Sequence, residues 1–376
     1  MRKINLYIDG LFYRGSGIGR YYESLTKEFA KRGISIVTCV PERLKKDFEK
    51  DFAGIPNIES MFVDYEKFSL KGLWRQSSIL KDLENKVDLF FYPHINLPFY
   101  VPRNTIVTIH DLRLFTEWWD RGGLKREMYK ILMKQAVSKS KKIITISNTM
   151  KKGLMDCYKN MELENKINVI YEFIDDKFVN FQKPRGFLIK EDYFLFVGNR
   201  KKNKNLKNLI LAFDKIKDKV NFKLVIAGRR DAGISKDEID ELIEDLNLKN
   251  FIIEFLNPTD EDLINFYTYA QLFVFPSFYE GFGLPPLEAI SCGCPAITSN
   301  IPVLEEILGK DIACFNPHLV DDIAEKLLLV LRSNEKRQQL LQEGRERLKL
   351  FEKDKIINEY IRVFNNYNLD ENSAIW

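Results

Sequence analysis

Short apolar runs alternate with stretches of helical spacing along the whole chain. In the first half, residues 4–8, 34–40, 89–92, 106–109 and 143–146 are rich in β-branched or aromatic side chains and bounded by polar ones, so each predicts a strand. From about Arg20 to Lys31 the spacing changes, and Tyr21, Leu25 and Phe29 fall on one helical face. Continuous apolar runs separated by helices indicate a parallel sheet buried on both faces, the mark of an α/β fold.

The second half repeats the alternation. Strands are expected at 193–197, 222–227, 251–255, 272–275 and 296–298. Helices are expected at 205–216, 235–246 and 259–270, with another starting near Pro285. Residues 182–186, with Pro184, read as the linker between two domains. A last helical stretch covers about 353–365. Neither a fixed-period repeat nor a low-complexity tract interrupts this order.

The length, 376 residues, exceeds the roughly 250–300 at which one hydrophobic core stops growing, which supports two domains. No apolar run approaches the roughly 20 residues that span a bilayer. Met1-Arg2-Lys3-Ile4-Asn5 enters the first strand directly and leaves no room for a signal peptide. The five cysteines are odd in number and scattered, and Cys292-Gly293-Cys294 lacks a second pair at zinc spacing. Such thiols fit a reducing cytosol, and a cytoplasmic protein is expected. Net charge is +4, but residues 1–180 hold 31 basic against 23 acidic side chains, and the remainder 27 against 31. A basic front half either meets an anionic partner, such as a membrane surface, an anionic acceptor or nucleic acid, or is ordinary surface charge.

The richest chemistry lies in Glu280-Gly281-Phe282-Gly283-Leu284-Pro285-Pro286-Leu287-Glu288. It follows a predicted strand and opens a predicted helix, with proline near the first helical positions, where its missing N–H is no loss. Glycines let backbone N–H groups approach a ligand, and a helix N-terminus suits a diphosphate. Carboxylates accept hydrogen bonds from sugar hydroxyls, so Glu280 and Glu288 flanking an anion site suit a sugar nucleotide. The plainer alternative is a helix start with acidic residues favouring the dipole.

This segment, with Phe275-Pro276-Ser277 before it, resembles the Glu-x7-Glu motif of the retaining GT-B glycosyltransferases known as family 4. The resemblance runs from the first Gly-rich loop to Phe351. It implies an α/β GT-B fold: two Rossmann-like domains with parallel sheets facing across a cleft. The N-terminal domain (1–181) would bind the acceptor and the C-terminal domain (187–350) the nucleotide sugar, with 351–376 crossing back to the first. It implies that Glu280 contacts donor sugar hydroxyls, Glu288 the ribose, and Gly281, Phe282, Gly283 and Leu284 the phosphate and sugar.

Other segments take their roles from the same resemblance. Gly198-Asn199-Arg200-Lys201-Lys202-Asn203-Lys204 ends a strand in a cationic loop, and negative charge on a leaving diphosphate needs such cations. Lys204 resembles the family's lysine; Arg200 is the expected partner, although asparagines stand at the positions where the family more often has arginine. Gly17, Gly19 and Arg20, in the Gly-rich loop 10–21, would lie near the donor phosphate. His110, at the end of a strand, would contact the transferred sugar. His94 reads either as a residue lining the acceptor side or as a hydrogen-bonded structural one. Leu256 and Asn257 resemble the base-binding loop.

Two features read differently. Asp260-Glu261-Asp262 has a metal-binding look, but Thr259 before it makes Thr259 and Asp262 an N-cap pair. Residues 117–142, with Trp118, Trp119 and eight cations against three acids, read either as a membrane-surface contact or as a helix with a solvated basic face. The resulting expectation is a retaining hexosyltransferase, mannose being the first choice of sugar. The donor would be GDP-mannose or a UDP-hexose, used without a metal, and the acceptor a glycan or glycolipid. The enzyme would be cytoplasmic, with peripheral contact at the inner face of the membrane considered and nucleic acid set aside. A nucleotide-sugar epimerase and a non-catalytic sugar-nucleotide binder are the alternatives.

Overall fold

The computed structural model describes residues 4–230 and 236–372. Residues 1–3, at the expected entry to the first strand, and Ser235, the expected start of a helix, lie outside the described residues. The chain forms two compact units: one runs to Glu172 and resumes at Lys353, and the other spans Phe173–Glu352.

In chain order the first unit contains β1 (Asn5–Asp9), α1 (Ser16–Lys31), β2 (Ser35–Pro41), α2 (Lys45–Asp51), β3 (Ile58–Val63) and α3 (Leu70–Leu83). It continues with β4 (Leu89–Tyr92), β5 (Thr105–Ile109), α4 (Gly123–Lys139), β6 (Lys142–Thr145), α5 (Asn148–Cys157) and β7 (Ile167–Val169). The strands form one parallel sheet in the order β3-β2-β1-β4-β5-β6-β7. Every residue of β4 and β5 is buried, which explains their unbroken apolar runs. Two strands escape the sequence pattern. β3 is a half-exposed edge strand containing Glu59 and Ser60, and β7 has only three residues.

α1 begins at Ser16, four residues before the expected start, so Gly17 and Gly19 belong to a helix rather than a loop. Glycine costs a helix about 1 kcal/mol per residue relative to alanine. Burial of Tyr21, Tyr22, Leu25 and Phe29 on one face of α1 outweighs that cost.

The second unit contains α6 (Asp176–Val179), β8 (Tyr193–Val197), α7 (Leu206–Asp214), β9 (Lys223–Gly228), α8 (Glu238–Asp245), β10 (Ile252–Leu256) and α9 (Asp260–Tyr269). β11 (Leu272–Phe275), α10 (Leu284–Ser291), β12 (Ala296–Ser299), α11 (Pro302–Leu308), β13 (Ala313–Phe315), α12 (Val320–Arg332) and α13 (Asn334–Leu348) follow. Its parallel sheet runs β10-β9-β8-β11-β12-β13. Both sheets reverse direction beside their first strand, the Rossmann order, and ligands of such sheets bind beyond the carboxyl ends of the strands at that reversal.

The change of unit falls at Glu172–Phe173 rather than at 182–186. α6 is already anchored in the second unit, with Phe178 against Tyr267 and Lys177 2.7 Å from Asp260. Asn265 reaches back to the Gly186 carbonyl at 2.8 Å. The last helix, α14 (Lys353–Asn372), packs in the first unit: Tyr360 and Phe364 meet Phe29 and Phe91 with ring centroids 5.3–6.0 Å apart. Thr259 and Asp262 form a reciprocal capping box on α9, each side chain accepting from the other's backbone N–H. Among the described residues, no helix is long and apolar enough to cross a membrane.

Candidate active site

Two loops of the second unit leave the carboxyl ends of β8 and β11, the neighbouring strands at the reversal point. Asparagines stitch them together. The Asn203 side chain donates to the Tyr279 carbonyl at 3.2 Å, and the Phe278 N–H donates to the Asn203 carbonyl at 2.8 Å. Asn205, at φ 56°, donates to the Pro276 and Pro317 carbonyls at 2.9 and 2.8 Å. Asparagine tolerates that left-handed conformation better than most residues do. These bonds hold Lys204, between the two asparagines, with its Nζ 2.6 Å from Glu280 Oε1 and 5.0 Å from the centre of the Phe275 ring.

Beyond Glu280 the chain turns through Gly281 and Phe282 to Gly283, the N-cap of α10. Gly283 has φ 114°, a value that side chains with a Cβ rarely adopt, so glycine is required there. Leu284 and Pro285 open the helix; Pro285 and Pro286 lack an N–H, so its positive end presents the N–H groups of Gly283 and Leu284 beside the Lys204–Glu280 pair. Glu288 lies one turn in and is buried. Tyr267 donates to its Oε2 at 3.3 Å. Burial first, and then the Glu288 charge, raise the Tyr267 hydroxyl well above the ordinary phenol range, which keeps it a donor.

Arg200 departs from expectation. Its guanidinium does not share the Lys204 partners. It lies 2.9 Å from both Asp237 and Asp240 and also contacts Glu254, with 5% of the side chain exposed. Burial pushes the Asp240 carboxyl up, but hydrogen bonds from Arg200 and the Asp237 N–H outweigh it and hold that carboxyl below the usual range. A buried guanidinium held by three carboxylates has its charge already offset within the second unit. Gly198 directly follows β8 and stays against β9, with its N–H on the Ala227 carbonyl at 3.0 Å. Asn257, at φ 55°, donates from its backbone to the Gly228 carbonyl at 2.8 Å, and Leu256 beside it is exposed.

In the first unit, Gly17, Gly19 and Arg20 occupy the first turns of α1, with Gly19 buried and Gly17 and Arg20 exposed. His110 follows β5 and is held on both nitrogens: Nε2 donates to the Pro93 carbonyl at 3.0 Å, and Nδ1 lies 3.2 Å from Glu172 Oε1. Tyr21 packs edge-on against the imidazole at 4.6 Å. His94 takes the structural alternative. It is buried, with Nε2 2.8 Å from Asp9 and Nδ1 accepting the Asn96 N–H. Trp118 and Trp119 are half-buried, and Trp119 packs on Tyr129 of α4. A concavity of about 620 Å³ lies at the amino ends of β1–β3, the opposite end of the sheet from these residues.

Two family descriptions match consecutive parts of the chain: Glycosyltransferase Family 4 over residues 15–178 and Glycosyl transferases group 1 over residues 179–347. The chain belongs to this glycosyltransferase family. It is 32% identical to O-antigen chain mannosyltransferase RfbU of Salmonella typhimurium over 65% of each chain. It is 26% identical to O-antigen chain mannosyltransferase B of Escherichia coli over 96% of this chain and 99% of that one. In fold it matches sucrose-phosphate synthase from Thermosynechococcus elongatus with a TM-score of 0.74 at 17% identity, covering 98% of this glycosyltransferase and all of that chain. The two-sheet architecture is therefore GT-B.

Sequence reasoning passed over Asn203, Asn205 and Glu172. The alternation of lysine and asparagine at 201–205 was the available sign for the first two, since asparagine favours left-handed turns. Nothing local marks Glu172.

Proposed function

We propose that this glycosyltransferase moves a hexose, mannose first among candidates, from a nucleotide diphosphate sugar to a glycan or glycolipid acceptor with retention of configuration. The observation that carries the reading is the cation–carboxylate pair of Lys204 and Glu280 beside the positive end of α10. A sugar diphosphate needs this combination, an anion site next to a hydroxyl acceptor. The names of the two mannosyltransferase relatives favour mannose, and with it GDP-mannose ahead of a UDP-hexose.

In this reading the bond from the sugar C1 to the diphosphate oxygen breaks as the acceptor oxygen attacks from the same face. The acceptor's proton passes to the departing diphosphate. Lys204 and the N–H groups at Gly281 to Leu284 stabilise the charge growing on that diphosphate, so no divalent ion is required. Glu280 orients sugar hydroxyls, Glu288 the ribose, and Leu256 and Asn257 border the base. Gly17, Gly19 and Arg20 serve the phosphate, and His110 borders the transferred sugar. Arg200 anchors the Gly198 loop through its three carboxylates.

A thermal-shift screen with GDP, UDP, ADP and their sugar conjugates, with and without magnesium, tests this. A ligand held only by the folded protein stabilises it by about 2.7 kcal/mol at a hundred times its dissociation constant, a rise of several degrees. GDP and GDP-mannose should produce that rise without magnesium. A folded protein that none of the nucleotides shifts would overturn the reading.

Peripheral contact with the cytoplasmic face of a membrane belongs to the same proposal. α4 carries a second apolar stripe, Leu124, Met128 and Ile131, turned to solvent, with Leu124 89% and Ile131 68% exposed. Lys125, Lys134 and Lys139 flank it, the pattern of a helix lying in an anionic lipid surface. Vesicles containing phosphatidylglycerol should bind the protein at low salt and release it at high salt. A Leu124→Asp, Ile131→Asp variant should bind at least about tenfold more weakly, since each change removes buried apolar area and adds repulsion. Equal binding by the variant would rule out this helix as the contact.

A further inference from the structure

Glu172 stands where no role is assigned. It lies three residues beyond β7, with its side chain 12% exposed, and it meets His110, which follows β5 and is 15% exposed. The Pro93 carbonyl can only accept, so His110 Nε2 carries a proton. On the other side of the ring, Nδ1 faces Glu172 Oε1 at 3.2 Å. The imidazole is therefore committed on both sides, and neither nitrogen is open to take a proton from a substrate. Tyr21 closes the ring's face, and its own hydroxyl is spent on Thr108 and Tyr360.

Glu172 is not committed in the same way. Only Oε1 is engaged by His110; among the described residues Oε2 has no hydrogen-bond partner, although the side chain is mostly buried. An accessible carboxylate oxygen on a mostly buried side chain, held through its twin oxygen by an imidazole, is a fixed acceptor. It lies beyond the carboxyl ends of the strands, where this sheet type meets its ligands.

We propose that Glu172 Oε2 binds a sugar hydroxyl, with His110 as the positioning residue that fixes the carboxylate. This rests on the glycosyltransferase reading above. The same chemistry could come from the transferred sugar or from the acceptor glycan.

Glu172→Ala and Glu172→Gln separate these cases, using GDP-mannose or whichever nucleotide sugar the thermal screen selects. If the hydroxyl is the donor's, Glu172→Ala binds the nucleotide sugar about tenfold or more weakly while affinity for the bare nucleotide stays within twofold, the scale of a lost hydrogen bond to a charged group. One monodeoxy donor then binds wild type and variant equally, which identifies the hydroxyl. If it is the acceptor's, donor affinity holds and the KM for a mannose-terminated oligosaccharide rises about tenfold instead. Glu172→Gln keeps the shape and one acceptor oxygen, so its loss is smaller, and it stands in if the alanine variant does not fold. Unchanged constants in both variants, or a loss equal for bare nucleotide, donor and every deoxy analogue, would overturn the proposal. A wild-type protein that binds no nucleotide sugar would overturn the parent reading and this one with it.

Discussion

Lys204→Ala is expected to lower turnover by about 10²-fold or more, the scale measured when one preorganised electrostatic donor is removed. Lys204 has 18% of its side chain exposed and Glu280 13%, so their 2.6 Å contact is little screened by solvent. Removing the lysine takes positive charge from the leaving group and leaves Glu280 without its cation, which penalises the same step twice. Steady-state kinetics with donor in excess check this, with affinity for the nucleotide measured separately. Lys204→Arg should recover part of the rate, because charge survives although the geometry differs. Turnover of the alanine variant within a few-fold of wild type would remove Lys204 from the leaving-group role.

Gly228→Ala should be the most damaging small substitution in the second unit. Gly228 ends β9, and a Cβ built on it falls inside the Gly198 carbonyl group, with the Gly198 backbone N–H already held by Ala227. The obstacle is backbone on both sides, so no side chain can swing away. Relief requires the ends of β8 and β9 to part, which also strains the Asn257 bond to Gly228. A cost of at least about 3 kcal/mol follows from overpacking of this kind. For a unit of this size that lowers its melting temperature by about 6–12 °C. Because the Gly198 loop leads to Lys204, affinity for the donor should fall as well. A variant melting within about 2 °C of wild type would show that the strand ends separate without cost.

The order of strands and helices is legible in the sequence, because burial on both faces writes itself as local apolar runs. β8 and β11 match the expected limits residue for residue. The misses have physical causes. β3 is half-exposed, β7 and β13 are three residues long, and the start of α1 contains glycines that propensity alone would exclude. In the candidate site, the Gly281–Leu284 turn into a helix was visible because glycine and proline carry backbone information locally.

Partnership was not visible. Lys204 and Glu280 are 76 residues apart, and His110 and Glu172 are 62 apart. In the loop that holds Arg200, Lys201, Lys202 and Lys204, composition cannot say which cation turns inward. The tertiary structure gives Arg200 three carboxylates from α8, its cap and β10, and gives Lys204 the single carboxylate beside α10. Periodicity is a local property, and the sequence by itself therefore determined two parallel α/β sheets and the turn that opens α10. The choice of partner for each charge depends on which strand ends become neighbours, and only the folded sheet order, β10-β9-β8-β11, decided that.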